Sequence, residues 1–237
     1  MLNNNFLSKI KQVAADLPPD LSTHAERDLR LLNRAGINSF DLLVSALQDQ
    51  RTHRDVRIAA CWVLGRLCNK RDVNILLNAF NDPDSQLSWE AAKSLAMLKS
   101  KRALRPLIAA LREAADTNKR QAAAYALGWL CDQRAVEALI GTLNNRREDA
   151  GVRGQAAESL GNLGDKRAVG PLIAVLKDAS TEVRFWSAFA LGQLQDRRAL
   201  PELTRLANID RAILDGWWEV GREASDAIAR IRGDEKS

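Results

Sequence analysis

The chain has 237 residues, 46% apolar and 27% charged, with a formal net charge of +5. That is enough apolar material for a substantial core, and too small a charge excess to define a nucleic-acid-binding class. No stretch approaches the roughly 18 consecutive apolar residues of a membrane-spanning helix, Cys61, Cys68 and Cys131 make no CxxC pair, and the opening MLNNNFLSKIKQVAADL lacks the apolar run of a signal peptide, so reduced thiols and a cytoplasmic location are expected.

In chain order, residues 1–21 hold an N-terminal helix over 2–16 and a linker at Leu17-Pro18-Pro19. An array follows over 22–207, opening with a degenerate first helix (22–35) and a second helix (36–48). From there one block recurs. Leu64, Leu95, Leu127, Leu160 and Leu191 are 31, 32, 33 and 31 residues apart; Leu67, Leu98, Leu130, Leu163 and Leu194 keep the same register, as do Arg71, Arg102, Arg134, Arg167 and Arg198. A fixed period of this size marks stacked helical repeats.

Aligned on Arg57, Ser88, Arg120, Arg153 and Arg184, the units read RIAACWVLGRL, SWEAAKSLAML, RQAAAYALGWL, RGQAAESLGNL and RFWSAFALGQL. Small residues at positions four and five, and Leu at eight and eleven, share one face. This predicts a first helix that buries a narrow Ala/Leu stripe. Gly65, Gly128, Gly161 and Gly192 (Ala96 in the second unit) recur despite costing about 1 kcal/mol against Ala in a helix, which points to close helix approach. The column Asn69, Ser100, Asp132, Asp165 and Asp196 supplies N-caps for a second helix, with Pro106, Pro171 and Pro201 near its start. At the far end, residues 208–232 are expected to form capping helices with an insertion, and 233–237 a disordered tail.

The string V-R-x-x-A-A-x-x-L-G-x-L-x-D-x-R-A-V-x-P-L is clearest in 152–172, VRGQAAESLGNLGDKRAVGPL, and returns over 183–203. It resembles the HEAT-like repeat of the phycobilisome-lyase type, over roughly residues 22–232. The resemblance implies an all-α, right-handed α-solenoid of about six helix pairs with atypical end caps. Proteins with such repeats include bilin chromophore lyases, phycobilisome-degradation factors and bacterial scaffolds, so function has to be read from a site.

Catalytic signatures are missing from the sequence. His24 and His53 are the only histidines, and no His-Glu dipeptide, HExxH, GxSxG or P-loop occurs. No catalytic residue, metal or cofactor is therefore expected, and the chain reads as a binding protein more than an enzyme. Cys61 fills a core column. Trp217-Trp218-Glu219 should cover the end of the core. The ladder arginines should pair with their N-cap carboxylates, and Arg57, Arg120, Arg153 and Arg184 with groups of neighbouring repeats.

Two surfaces remain as candidates. Second-helix positions should line a polar concave groove with Asn74, Asn78, Arg105, Arg112, Glu137, Lys177 and Arg205. The first helices carry seven of the twelve aromatic residues outside the core stripe: Trp62, Trp89, Tyr125, Trp129, Phe185, Trp186 and Phe189. Trp and Tyr are favoured interface anchors. The reading that follows is a protein-binding scaffold, adaptor or assembly factor whose partner is another protein. By resemblance, the alternative is a bilin lyase subunit, with the bilin as substrate stacked on tryptophans and its propionates on Arg105 or Arg112. A weaker pointer to nucleic acid is the basic segment 54–112, with 11 Lys/Arg against 5 Asp/Glu.

Overall fold

The computed structural model describes residues 40–67 and 73–233. The expected N-terminal helix, the degenerate first helix over 22–35, Cys68, Asn69, Arg71 and residues 234–237 lie outside the described residues. The chain divides into two units, 1–106 and 107–237. The first holds α1 (Phe40–Gln48), α2 (Arg54–Leu67), α3 (Val73–Phe80) and α4 (Ser85–Leu98), and α5 (Leu104–Glu113) runs across the division. The second holds α6 (Thr117–Trp129), α7 (Val136–Asn144), α8 (Ala150–Leu163), α9 (Val169–Ala174), α10 (Thr181–Leu194), α11 (Leu200–Ile209) and α12 (Val220–Arg232). No strand occurs among the described residues, only an isolated bridge between Ile213 and Glu219. The fold is all-α and built of helical repeats, with α2, α4, α6, α8 and α10 as first helices.

The first helices α4, α6, α8 and α10 start and stop by a local rule. Asp84, Asp116, Asp149 and Ser180 precede α4, α6, α8 and α10, and each accepts a hydrogen bond from a free amide of the first turn. At the other end the chain turns through a left-handed residue directly after the repeated Leu: Lys99 (φ 47°), Cys131 (56°), Gly164 (71°) and Gln195 (49°). Glycine takes this conformation without penalty, and three of the four positions adopt it without glycine.

The expected second-helix caps need a correction. Asp132, Asp165 and Asp196 accept the amides of Arg134, Arg167 and Arg198, but the element they cap is a single 3-10 turn that leads into the α-helix. Ser100 makes no side-chain cap bond. The Arg/Lys-Ala step after each cap is the turn itself, which moves the start of the α-helix about one turn downstream.

The Ala/Leu stripe is the core. Ala60, Cys61, Leu64, Ala91, Ala92 and Leu95 in the first unit are fully buried, as are Ala123, Ala124, Leu127, Ala156, Ala157, Leu160, Ala188 and Leu191 in the second. The recurring glycines fit between first helices. A Cβ on Gly128 would lie 2.7 Å from the Ser159 Cα, one on Gly161 2.8 Å from the Ala190 Cα, and one on Gly192 3.0 Å from the Ala227 Cα. Within each unit, position nine of a first helix thus abuts position seven of the next, Gly65 against Ser94 in the first unit and Gly128 against Ser159 and Gly161 against Ala190 in the second, and α12 plays the part of a further first helix.

Buried guanidinium groups tie the loops together. In the first unit, Arg57 on α2 donates to the Leu47 carbonyl (3.0 Å) and to Asp82 in the loop after α3. Ser88 on α4 serves the same loop, donating to the carbonyls of Phe80 (2.6 Å) and Asp82 (3.2 Å). In the second unit, Arg120 bonds the Ala114 carbonyl behind it (2.8 Å) and Glu148 ahead of it (2.8 Å). Arg184 likewise joins the Asp178 carbonyl (2.9 Å) to Asp210 (2.6 Å), and Arg153 pairs with Asp178. Burial pushes the carboxyls of Asp82, Asp178 and Asp210 up, but bonds from Arg57, Arg153 and Arg184 and from the amides of Asp84, Ser180 and Ala212 outweigh it. All three end below the usual 3.8.

Breaking a buried pair strands a charge in a poor solvent. Arg153→Ala, which takes the paired guanidinium from buried Asp178, is expected to cost about 3–5 kcal/mol in urea unfolding, while Arg134→Ala, at an exposed pair, leaves the midpoint unchanged. Glycine gives a test of opposite sign. A Cβ on Gly141 in α7 meets nothing within 4 Å, so Gly141→Ala should stabilise by about 0.5–1 kcal/mol, whereas Gly161→Ala should lower the melting temperature.

Candidate interaction surface

Position six of α8 is Glu158. The first helices of the second unit are staggered by about two residues, as Gly128 against Ser159 and Gly161 against Ala190 establish. This brings Glu158 level with the gap between Tyr125 and Trp129 on α6, and level with the gap between Trp186 and Phe189 on α10. Tyr125 and Trp129 form one ring pair, with centroids 6.3 Å apart, and Trp186 and Phe189 another, 5.7 Å apart and edge to face. Trp129 is 41% exposed; Tyr125, Trp186 and Phe189 are half-buried. Burial raises the Glu158 carboxyl above its ordinary 4.5, against the pull of the Gln155 amide 2.6 Å away. One turn on, the Asn162 side-chain nitrogen is buried without a hydrogen-bond partner.

The remaining aromatic candidates separate. Phe185 is fully buried and is corrected from surface to core. The insertion explains this: the loop 210–219 lays Trp217 and Trp218 over it, at 5.6 and 5.9 Å between centroids. Trp218 donates to Glu223 (3.0 Å), which also receives Arg230 (3.1 Å). Burial, opposed by those two partners, pushes the Glu223 carboxyl up. Trp217 is 46% exposed and Ile213, on the same loop, 65% exposed. In the first unit, the Arg66 guanidinium lies 3.4 Å from the Trp62 ring centroid, so that ring carries a cation of its own chain. Trp89 is half-buried on α4.

The second-helix candidates are exposed but are mostly engaged where the second unit brings them together. Asn74 and Asn78 on α3, and Arg105 and Arg112 on α5, are exposed. Glu137 pairs with Arg167 (2.9 Å). Lys177 and Arg205 share Glu202, at 3.1 and 2.8 Å. The arginine ladder is neutralised in the same way: Arg134, Arg167 and Arg198 each bond their own cap carboxylate. The Arg198 hydrogen bonds hold Asp196 down to about 2. Such a ladder offers few free charges to a phosphate backbone. Each unit also has a hollow on this side, about 270 Å³ over the Arg57–Asp82 pair and about 490 Å³ over Arg153–Asp178. Among the described residues no group of three or more His, Cys, Asp or Glu could hold a metal ion, and no helix is long and apolar enough to cross a membrane.

A family model of HEAT repeats matches residues 40–119, 73–149, 104–175 and 143–214. Solved structures similar to this chain include YibA of Escherichia coli, at 19% identity over 97% of this chain and 96% of that one, with a TM-score of 0.51. A designed armadillo repeat protein has 17% identity over 81% and 100%, with a TM-score of 0.51. The complex of CpcE and CpcF of phycocyanin lyase from Nostoc sp. has 22% identity over 94% of each chain, with a TM-score of 0.47. No curated protein matches the sequence.

The split between core and surface aromatics is measurable. Phe185→Ala is expected to destabilise by about 3–5 kcal/mol, read from chemical unfolding. Trp129→Ala, with its ring already partly in water, should keep the wild-type helix content and lose far less.

Proposed function

This chain belongs to the HEAT-repeat family, and we propose that it works as a protein-binding scaffold whose docking face is the outer side of α6, α8 and α10. The observation that carries this reading is the pair of ring clusters flanking Glu158, Tyr125 with Trp129 and Trp186 with Phe189, the first ending in a 41% exposed tryptophan. Exposed aromatics on well-ordered helices are favoured anchors, because they offer a large contact area at little cost in side-chain freedom. The close-packed glycine seams beneath them hold the rings in place before a partner arrives, which reduces the ordering cost of association. The second-helix side supports the choice by contrast, since Glu137, Lys177 and Arg205 are spent on ion pairs within the unit.

Affinity purification from native lysate with the wild type beside Trp129→Ala tests this. A stoichiometric partner held by the wild type and weakened about 30-fold or more in the variant is the expected result. Equal retention by both would move the docking site off this face. Absence of any protein partner, together with an absorbance shift on adding a bilin, would replace the scaffold with a tetrapyrrole-handling protein.

A further inference from the structure

The hollows over the two buried guanidinium pairs occupy the same place in the repeat and differ in charge. In the first unit the lining holds one cation and one carboxylate, Arg57 and Asp82, and is neutral. Gln50, seven residues before Arg57, completes it by donating to Asp82 (3.3 Å). In the second unit Arg153 and Asp178 keep the 25-residue spacing of Arg57 and Asp82. Arg146 now stands at the register of Gln50, and Lys177 at that of Asn81. Arg146, Arg153 and Lys177 line this hollow with Asp178 as the one carboxylate of its lining, an excess of two positive charges.

These cations are not used up within the chain. The Arg146 side chain is exposed, makes no hydrogen bond or ion pair among the described residues, and acts on Asp178 through its field alone. Lys177 reaches Glu202 (3.1 Å), but Glu202 also takes Arg205 (2.8 Å), so two cations share one carboxylate. Arg153 is only 9% exposed and gives its two terminal nitrogens to Asp178, yet its Nε has no acceptor. In the other arginines of this column that nitrogen is taken: Arg57 donates it to the Leu47 carbonyl (3.0 Å), Arg120 to Glu148 (3.0 Å) and Arg184 to Asp210 (2.6 Å). The orphan donor is itself buried, so Arg153 adds a fixed charge to the wall, while Arg146 and Lys177 present exposed groups that can close on a ligand.

We propose that this hollow is a binding site for a phosphomonoester. Such a group carries a charge of about −1.5 to −2 near neutral pH, which matches the excess on the wall, whereas a single carboxylate leaves one cation uncompensated. Arg146 and Lys177 donate to its oxygens, and the exposed Asn144 supplies an amide donor beside them. The volume of about 490 Å³ exceeds that of a bare phosphate and lies in the range of ligand sites. Leu143, Ala174 and Val175 give the remaining room an apolar surface for the carbon group that bears the phosphate. None of the aromatic anchors lines this hollow, so the site stands independently of the scaffold reading.

Isothermal titration calorimetry of the full chain at about 0.15 M salt, where long-range attraction is largely screened, tests the site with phenyl phosphate, benzoate and a short alanine peptide with a central phosphoserine. Saturable binding of phenyl phosphate is expected, at least about tenfold tighter than that of benzoate, which has the same ring and less charge. Arg153→Ala is unsuitable as a probe because it destabilises the unit. Arg146→Ala and Lys177→Ala, both at exposed side chains, should each weaken phenyl phosphate about fivefold or more. Arg232→Ala, which removes an equal charge at the end of α12, should leave it within about twofold. Phenyl phosphate bound more tightly than the phosphopeptide identifies a small organic phosphate as the ligand, and the reverse order a phosphorylated segment of a protein. No saturation by either phosphate, benzoate bound equally well, or equal losses in Lys177→Ala and Arg232→Ala would overturn the proposal. Trp129→Ala is expected to bind phenyl phosphate as the wild type does, which keeps this result separate from the fate of the docking face.

Discussion

A guanidinium at the head of a first helix, reaching back to one loop and forward to the next, is the constraint on which this fold depends. Short helices of 6 to 14 residues do not hold themselves in water. Their Ala/Leu stripes bury well, but Ala surfaces are smooth and would tolerate sliding. Arg57, Arg120, Arg153 and Arg184 remove that freedom, because each satisfies loop carbonyls or carboxylates at fixed points of the repeat. Desolvating such pairs is costly, and their value is geometric: they select one register among several apolar ones. Where α4 has Ser88, the hydroxyl meets the same loop carbonyls with a shorter reach.

Once register is set, the first helices close on one another through glycine, serine and alanine. Gly128 against Ser159, and Gly161 against Ala190, leave no room for a Cβ. Tight seams have a consequence for the outer surface. Side chains at positions three, six and ten are carried on helices too close to let them fold inward, so they stand in rows. Function on such a surface arises from which residues share a row, and here two aromatic pairs share one with an unpaired glutamate.

Much of the fold was legible in the sequence because it depends on short-range periodicity. The 31- to 33-residue spacing, the buried stripe and the pairing of the ladder arginines with Asp132, Asp165 and Asp196 all follow from local pattern. The left-handed stop after Leu98, Leu130, Leu163 and Leu194 was not legible, because only Gly164 among the four carries the usual glycine. The first-helix caps Asp84, Asp116, Asp149 and Ser180 do carry a signal in the sequence: an Asp or Ser four residues before Ser88, Arg120, Arg153 and Arg184. Glu158 was also overlooked as part of the site. Alone it is an ordinary polar residue on a solvent face, and only burial in the folded array desolvates its carboxyl.

By itself the sequence determined the repeat: its period, its two-part unit, its buried column and the polar ladder along its turns. Each of these is set by contacts within one unit or between identical positions of adjacent units, so the pattern states them many times. Only the tertiary structure decided which aromatics are free. Phe185 and Trp129 look alike in the sequence, both off the core stripe of a first helix. Phe185 is fully buried because a ten-residue loop, 210–219, folds two tryptophans over it, and Trp129 remains 41% exposed, with no such loop over it among the described residues. That difference comes from a segment that occurs once, and a non-repeating element leaves no periodic trace from which its landing place could be read.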